Sequence, residues 1–151
     1  MITIYTDGAS RGNPGPGGYG VVLKYQQHRK ELSEGFRLTT NNRMELLAVI
    51  RALEALKWPG APVTIYTDSR YVADAVEKGW LKNWIAKGFK GKKNEDLWMR
   101  FWHLSQNYKV RFKWVRGHAG NVENERCDEL AVAAALQPNL KPDKGFEATV
   151  A

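Results

Sequence analysis

Alternating β-branched, aromatic and polar residues dominate the first part of the chain and predict strands. Three stretches show this pattern, at residues 1–7, 19–25 and 30–38. The run from Gly12 to Gly18 is rich in glycine and proline and predicts a tight turn between the first two strands. Because the connections are short, these strands are expected to form an antiparallel meander.

The spacing of apolar residues then changes from alternation to a helical repeat. Residues 42–57 carry apolar side chains at helical intervals, and Trp58-Pro59-Gly60 ends the helix that they predict. Strands follow at 62–68 and 109–115, and further helices are predicted at 70–78, 80–87, 96–106 and 123–136. This order predicts an α/β fold with a mixed five-stranded sheet, an antiparallel meander followed by parallel strands, flanked by helices.

The chain is expected to form a single domain over residues 1–151. Its 151 residues match the usual size of one domain, and no shift in composition marks a boundary. We expect a core at about 1–137 and a C-terminal tail at 138–151, where structure signals are weak.

Composition excludes several classes of protein. The chain is 43% hydrophobic and 26% charged, which is typical of a globular protein rather than a disordered one. No apolar run is long enough to span a membrane. A single cysteine, Cys127, excludes an internal disulfide framework and a cysteine-based zinc site. Because the N-terminus also lacks a basic stretch before an apolar one, we expect a cytoplasmic protein.

Positive charge is concentrated in one part of the chain. Residues 78–116 hold eleven basic and two acidic side chains, a net charge of +9, whereas the whole chain carries +7. Within this region, Lys87 to Asn94 forms a glycine-containing stretch, the lysine loop. Such asymmetry favours a local surface for a polyanion, and a solvated helical surface is the alternative.

One tetrapeptide occurs twice, each time at the end of a predicted strand. Ile4-Tyr5-Thr6-Asp7 is repeated as Ile65-Tyr66-Thr67-Asp68. Ligands of α/β sheets bind beyond the carboxyl ends of parallel strands, so Asp7 and Asp68 can contact one ion if their strands are neighbours. The alternative is that each aspartate is a turn or helix-capping residue.

Two further carboxylates are candidates for the same site. Glu45 follows Asn42 by three residues, a spacing that also fits a glutamate capping the helix N-terminus. Asp128 lies on the alanine-rich face of the last helix, where burial without a partner is unfavourable, although a salt bridge to an arginine would explain it. Together the four oxygen ligands favour Mg²⁺ or Mn²⁺ over zinc.

A carboxylate cluster of this kind can hold two ions that activate water and stabilise the leaving oxygen of a phosphodiester. His118 lies between glycines in Gly117-His118-Ala119-Gly120, where a mobile imidazole can transfer protons, although a lone loop histidine is often incidental. Cys127 is interpreted as a buried structural thiol.

These motifs together resemble one family. Six short sequence blocks, which follow one another along nearly the whole chain, are similar to those of bacterial type 1 ribonuclease H, also called ribonuclease HI. The blocks are Tyr5-Thr6-Asp7-Gly8, Gly12-Asn13-Pro14-Gly15-Pro16-Gly17-Gly18-Tyr19-Gly20, Thr40-Asn41-Asn42-Arg43-Met44-Glu45-Leu46, Thr67-Asp68-Ser69, Gly117-His118-Ala119-Gly120 and Glu123-Asn124-Glu125-Arg126-Cys127-Asp128-Glu129-Leu130-Ala131.

The resemblance implies a single ribonuclease H domain that cuts the RNA strand of RNA/DNA hybrids and leaves 5′-phosphate and 3′-hydroxyl ends. It implies that Asp7, Glu45, Asp68 and Asp128 are the catalytic, metal-binding carboxylates and that His118 is catalytic. Mg²⁺ is the expected cofactor, with Mn²⁺ as a substitute and two ions present when substrate is bound. The alternatives are a hybrid-binding module with weak catalysis and a DNA-processing nuclease of the same fold.

The resemblance also implies which side chains contact the hybrid. Short amides suit the RNA 2′-hydroxyl, the lysine loop suits phosphates, and the tryptophans offer an apolar edge unless they pack in the core. Arg70 stands where glutamine is frequent in the family. No obligate protein partner is evident, so a monomer is expected. The substrate-binding set is Asn13, Thr40, Asn41, Asn42, Arg70, Trp80, Trp84, Lys87, Lys90, Lys92 and Lys93.

Overall fold

A five-stranded mixed sheet forms the centre of the molecule. A computed structural model describes residues 1–117 and 120–150. The sheet order is β3-β2-β1-β4-β5, with antiparallel pairing among the first three strands and parallel pairing of β1 with β4 and of β4 with β5, which confirms the predicted arrangement. The strands are β1 Ile2–Ser10, β2 Gly15–Tyr25, β3 His28–Thr39, β4 Pro62–Thr67 and β5 Lys109–Trp114.

Helices cover both faces of this sheet. The residue before α1 is Thr40, whose hydroxyl accepts a hydrogen bond from the Arg43 N–H, a normal N-cap. This helix ends at Glu54, three residues before the predicted end, and the chain then turns so that Trp58 lies against Tyr25. The helices are α1 Asn41–Glu54, α2 Arg70–Glu77, α3 Trp80–Ala86, α4 Glu95–Ser105, α5 Val122–Ala135 and α6 Lys144–Val150.

Strand β2 is longer than the sequence predicts, because part of the glycine-rich run belongs to it. Gly17 pairs with Ser10 and lies beside the Met44 side chain of α1. A side chain at Gly20 would overlap the backbone carbonyl of Cys127 on α5. Helices α1 and α5 therefore lie on opposite faces of the sheet, and glycine at position 20 allows α5 to approach the strand closely.

One continuous apolar cluster joins the sheet to α1, α2 and α4. Ile4, Ile50, Ile65 and Trp98 are fully buried within it. These residues are separated along the sequence, so they come together only when the parallel strands pair. Among the described residues, no helix is long and apolar enough to cross a membrane.

The C-terminal segment is more ordered than expected. The sequence predicts a weakly structured tail at 138–151, but α6 forms and the segment packs along β3. The Arg37 N–H donates to the Lys141 carbonyl at 2.8 Å, and the Arg37 guanidinium pairs with Glu147. Asp143 is buried and accepts hydrogen bonds from Thr39 and Arg43. Ion pairs to distant residues order this segment, and local sequence patterns do not reveal them.

Candidate active site

The repeated tetrapeptides lie side by side. Strands β1 and β4 pair in parallel with Ile4 opposite Ile65 and Tyr5 opposite Tyr66, and the two tyrosine rings stack with centroids 5.1 Å apart. Strand β4 ends at Thr67, whereas β1 continues beyond the parallel pairing as far as Ser10. The aspartates that follow the paired tyrosines are thereby brought to one edge of the sheet, as the sequence predicts.

Glu45 joins this edge from helix α1. The backbone N–H of Gly8 donates to Glu45 Oε1, and a side chain at Gly8 would overlap the backbone of α1. Glu45 Oε2 is buried and accepts no hydrogen bond from the described residues. Because Thr40 caps the helix, the alternative capping role of Glu45 is wrong.

Asp7, Glu45 and Asp68 form a compact group. One carboxylate oxygen from each lies within 4.8 Å of the others, close enough to contact a single ion. Asp128 is outside this group, although it lines the same cavity as Asp7 and Asp68. No ion pair involves Asp128 among the described residues, so no salt bridge to an arginine accounts for it there.

Asp7 and Glu45 are held where ionisation is unfavourable. Partial burial raises the pKa of Asp7 to about 7; a hydrogen bond with Glu45 opposes this rise, and Asp68 and Asp128 add to it. Burial also raises the pKa of Glu45 well above its ordinary value, and the Asp7 charge contributes. Neighbouring carboxylates disfavour one another's charged forms in this way when no cation neutralises them.

A hard cation fits this arrangement. All the ligands are carboxylate oxygens, the type preferred by Mg²⁺ and Mn²⁺. The unpartnered Glu45 Oε2 provides a buried acceptor that a cation would satisfy. The structure thus brings together three of the four predicted metal ligands and places the fourth beside them.

The predicted amide and hydroxyl residues gather next to the carboxylates. Asn13 Oδ1 accepts a hydrogen bond from the Asn41 N–H at 3.0 Å, and Asn41 Oδ1 accepts from Ser10 N–H and Oγ at 2.7 and 2.9 Å. Thr40 and Asn42 flank Asn41, and the Asn42 side chain is exposed. The end of β1, the turn after it and the start of α1 are therefore tied into one polar surface.

The lysine loop presents exposed cations on an aromatic base. Trp84 packs edge-on against the buried Trp98, with ring centroids 5.7 Å apart. Part of the Trp84 indole therefore packs in the core, which was the alternative to a substrate contact. Trp80 is 42% exposed, and Lys92 lies over the Trp84 ring. The predicted contact lysines of this loop are all exposed, namely Lys87, Lys90, Lys92 and Lys93.

Arg70 is linked to Asp68 through a residue that the sequence did not single out. The Arg70 guanidinium lies 4.0 Å from the centre of the Trp114 ring. The Trp114 indole N–H donates to the Asp68 backbone carbonyl at 2.9 Å. Trp114 thereby contacts both the backbone of the carboxylate edge and an exposed cation beside it.

Three polar residues that line the cavity were not among the predicted site residues. Arg116, Asn124 and Glu125 surround it together with Asp7 and Asp128. Asn124 precedes Asp128 by four residues on α5, so the helical repeat places both on one face, a signal that was present in the sequence.

His118 lies outside the described residues. Its neighbour Gly117 lies against the Asp68 carboxylate, since a side chain at that position would come within 2.8 Å of Asp68 Oδ2. Cys127 is a buried thiol that donates to the Tyr5 carbonyl at 3.2 Å, and burial raises its pKa. These contacts agree with a structural role for Cys127.

Known proteins share this sequence and fold. A family model for RNase H matches residues 1–136. Ribonuclease H from Desulforamulus reducens is 62% identical over 147 residues, 94% of this chain and 92% of the relative, and that from Trichodesmium erythraeum is 54% identical over 151 residues, 97% and 96% of the two chains.

Solved structures give the same result. LC9-RNase H1, a type 1 RNase H with the type 2 active-site motif, is 34% identical with a TM-score of 0.79, over 99% of this chain and 80% of that one. LC11-RNase H1 in complex with RNA/DNA hybrid is 30% identical with a TM-score of 0.66, over 89% and 96% of the two chains. Because the family model covers most of the chain and the Desulforamulus reducens and Trichodesmium erythraeum relatives are 62% and 54% identical over nearly its whole length, the chain belongs to the ribonuclease H family.

Proposed function

We propose that this protein is an endonuclease that hydrolyses the RNA strand of RNA/DNA hybrids and leaves 5′-phosphate and 3′-hydroxyl ends. The observation that supports it most directly is the group formed by Asp7, Glu45 and Asp68 at one edge of the sheet. Membership of the ribonuclease H family and the hybrid bound by the similar LC11-RNase H1 indicate the substrate.

Asp7, Glu45 and Asp68, with Asp128 beside them, are proposed to hold Mg²⁺, for which Mn²⁺ can substitute. Bound to these carboxylates, two such ions would supply an activated water and charge stabilisation for the leaving oxygen of the phosphodiester. The N–H of Gly8 orients Glu45 for this role. We further propose that His118, whose neighbour Gly117 lies against Asp68, transfers protons or helps product to leave.

Substrate binding is proposed to occur on two surfaces. Near the carboxylates, Asn13, Asn41 and Asn42 can donate to and accept from the RNA 2′-hydroxyl and adjacent groups, and Thr40, which directly precedes Asn41, is proposed to help hold a DNA phosphate. On the second surface, the exposed lysine loop is proposed to bind phosphates, and the exposed Trp80 and Arg70 are proposed to contact the hybrid. Exposure of these cations and of Trp80 supports the assignment.

A panel of labelled substrates tests this function. With Mg²⁺ present, we expect cleavage of RNA in an RNA/DNA hybrid and no cleavage of RNA or DNA duplexes. EDTA should abolish the reaction. Equal cleavage of a DNA duplex would favour the DNA-processing alternative, and tight hybrid binding without cleavage in Mg²⁺ or Mn²⁺ would favour a binding module.

We also propose that the protein acts as a monomer in the cytoplasm. The three clustered carboxylates come from one chain, so the site needs no second copy. A free, buried Cys127 suits a reducing compartment. Light scattering after size exclusion, with and without hybrid, tests the oligomeric state.

A further inference from the structure

The guanidinium of Arg43 connects three parts of the molecule. Arg43 lies on α1 two residues before Glu45, and it is only 3% exposed. Its Nε and Nη2 donate to Asp143 at 2.8 and 2.9 Å, and its Nη1 and Nη2 both donate to Asp96 at 2.8 Å. One planar group thus makes two bidentate ion pairs, a geometry that a lysine cannot reproduce.

The same guanidinium reaches the end of the lysine loop. Asn94 ends this loop with φ of +67°, and its side-chain oxygen accepts from Arg43 Nη1 at 3.3 Å. The Asn94 amide donates to the Tyr71 hydroxyl at 3.1 Å, and the Trp98 indole donates to that hydroxyl at 2.8 Å. Trp84, at the base of the loop, packs on Trp98. Both ends of the lysine loop are therefore tied to one network.

The C-terminal segment closes the network from the other side. Asp143 is buried and also accepts from the Thr39 hydroxyl at 2.7 Å. The backbone at Gly145 lies so close that a side chain there would meet Arg43 Nη2 at 2.8 Å and overlap Asp96. The C-terminal segment, α1 and the start of α4 therefore pack closely around the Arg43 guanidinium, and close packing of this kind holds such elements at a fixed spacing.

We propose that Arg43 is a positioning residue that fixes the lysine loop relative to Asp7, Glu45 and Asp68. A long polyanion bound at two separate surfaces is cut at a position set by the distance between them. By holding that distance constant, Arg43 sets where along the hybrid the cut falls relative to the phosphates bound by the loop. This inference rests on the proposed function and adds a determinant of cleavage position to it.

The variant Arg43→Lys keeps the positive charge and removes the double fork. Below the melting temperature of the variant, we expect KM for a hybrid to rise about three- to tenfold while kcat changes by less than about twofold, as for lost binding interactions. The dependence of binding on salt should weaken because fewer loop phosphate contacts form at once. End-labelled hybrid should be cut at additional positions.

Arg51→Lys is the matched control. Arg51 lies on the same helix and also bridges two carboxylates, Glu34 and Glu54, each at 2.9 Å. Its partners are on β3 and α1 and not on the lysine loop. We expect this variant to change thermal stability but to keep the parental KM, salt dependence and cleavage positions.

A second variant keeps the test decisive if Arg43→Lys does not fold. Asp96 is half-exposed, and its replacement in Asp96→Asn leaves the separate Arg43–Asp143 ion pair intact. This variant should change KM and the cleavage positions in the same direction as Arg43→Lys. The proposal would be overturned if folded Arg43→Lys or Asp96→Asn kept the parental KM and cleavage positions. It would also be overturned if Arg51→Lys changed them as much as Arg43→Lys does. Measuring hybrid binding in EDTA separates the proposed function from the positioning role of Arg43. A parent protein that binds the hybrid but never cuts it when Mg²⁺ is added refutes the proposed function. The affinity and salt dependence of the variants still test whether Arg43 positions the lysine loop.

Discussion

At the scale of single residues, the site depends on polar groups that are unfavourable for the metal-free fold. Asp7 and Glu45 share a partly buried position, and the pKa of each carboxyl is raised by that burial. The N–H of Gly8 satisfies only one Glu45 oxygen and leaves the other without a partner in the described structure. Such unfavourable groups are typical of sites that a cation completes.

Replacing Asp7 by Asn preserves shape while removing one charge and one ligand. We expect the rate of hybrid cleavage to fall at least about a hundredfold. Removing a residue that only hydrogen-bonds to a metal ligand already costs up to about a hundredfold, and Asp7 is a proposed ligand itself. The melting temperature in EDTA should stay equal or rise, because repulsion with Asp68 and Asp128 is relieved. Mg²⁺ should stabilise the parent more than the variant. Normal cleavage, or a much lower melting temperature in EDTA, would identify Asp7 as a structural turn residue.

The raised pKa of Asp7 predicts how metal-free stability depends on pH. Its folded pKa is about 7, above the usual unfolded value of about 4, so the folded state favours the protonated acid. Protonation of Asp7 therefore adds to the free energy of unfolding; the contribution is complete below pH ~4 and is lost as pH rises through ~7. The melting temperature of the parent in EDTA should therefore fall relative to Asp7→Asn between pH 5 and 8. A difference that does not vary with pH would contradict the assignment.

At the scale of elements, the proposed function uses a sheet edge and a loop. The edge of β1 and β4 and the start of α1 hold the carboxylates, and the lysine loop lies between α3 and α4. Loops on a rigid scaffold are common positions for binding residues. The tilted and edge-on rings of Tyr71, Trp84 and Trp98 provide that scaffold here.

Neutralising the lysine loop should weaken binding more than chemistry. With Lys87, Lys90, Lys92 and Lys93 all replaced by Gln, we expect KM to rise. The magnitude of the slope of log K against log salt should fall by up to about 3.6, since each lost phosphate contact removes about 0.9. The value of kcat at saturating hybrid should change less. Steady-state kinetics at several salt concentrations provide the measurement.

The matched control for this variant uses exposed lysines elsewhere. Lys30 and Lys57 are exposed and lie beside Ile2, where β1 begins, at the end of the sheet away from the carboxylates. The double variant Lys30→Gln with Lys57→Gln should therefore change KM less than Lys90→Gln with Lys93→Gln. If KM and salt slope are unchanged in the fourfold variant, the lysine loop has a structural role.

At the scale of the whole molecule, the C-terminal segment secures the fold from outside the matched family region. The family model ends at residue 136, yet residues beyond it contribute Asp143 to a buried ion pair and Glu147 to a surface pair with Arg37. A buried arginine that loses one partner leaves charge poorly compensated, which destabilises strongly.

Truncation after Gln137 should therefore lower stability. We expect a loss of about 3 kcal/mol or more, the scale of removing one partner from a buried ion pair, measured by thermal or urea unfolding. Truncation after Glu147 retains both ion pairs and is the control, with a loss below about 1 kcal/mol. Equal stability of the chain ending at Gln137 and the full chain would show that the segment packs without contributing to the free energy of unfolding.

Much of the architecture could be predicted from local patterns. Alternation predicted the strands and helical spacing predicted α1. The repeated tetrapeptides indicated that Asp7 and Asp68 can meet if their strands are neighbours, and β1 and β4 do pair in the sheet. The family motifs identified Glu45, which local spacing alone favoured as a capping residue. These features are determined by the sequence because each depends on residues close together in the chain or on a recognisable motif.

Other features were decided only by the tertiary structure. Part of the glycine-rich run that sequence patterns assign to a turn forms the start of β2, where Gly17 lies against Met44 of α1 and Gly18 lies against Ala131 of α5. Arg43 meets Asp96 and Asp143 across separations of 53 and 100 residues, and the latter contact orders a segment without strong local signals. The physical reason is common to both: close packing and buried charge pairing depend on neighbours that only folding brings together.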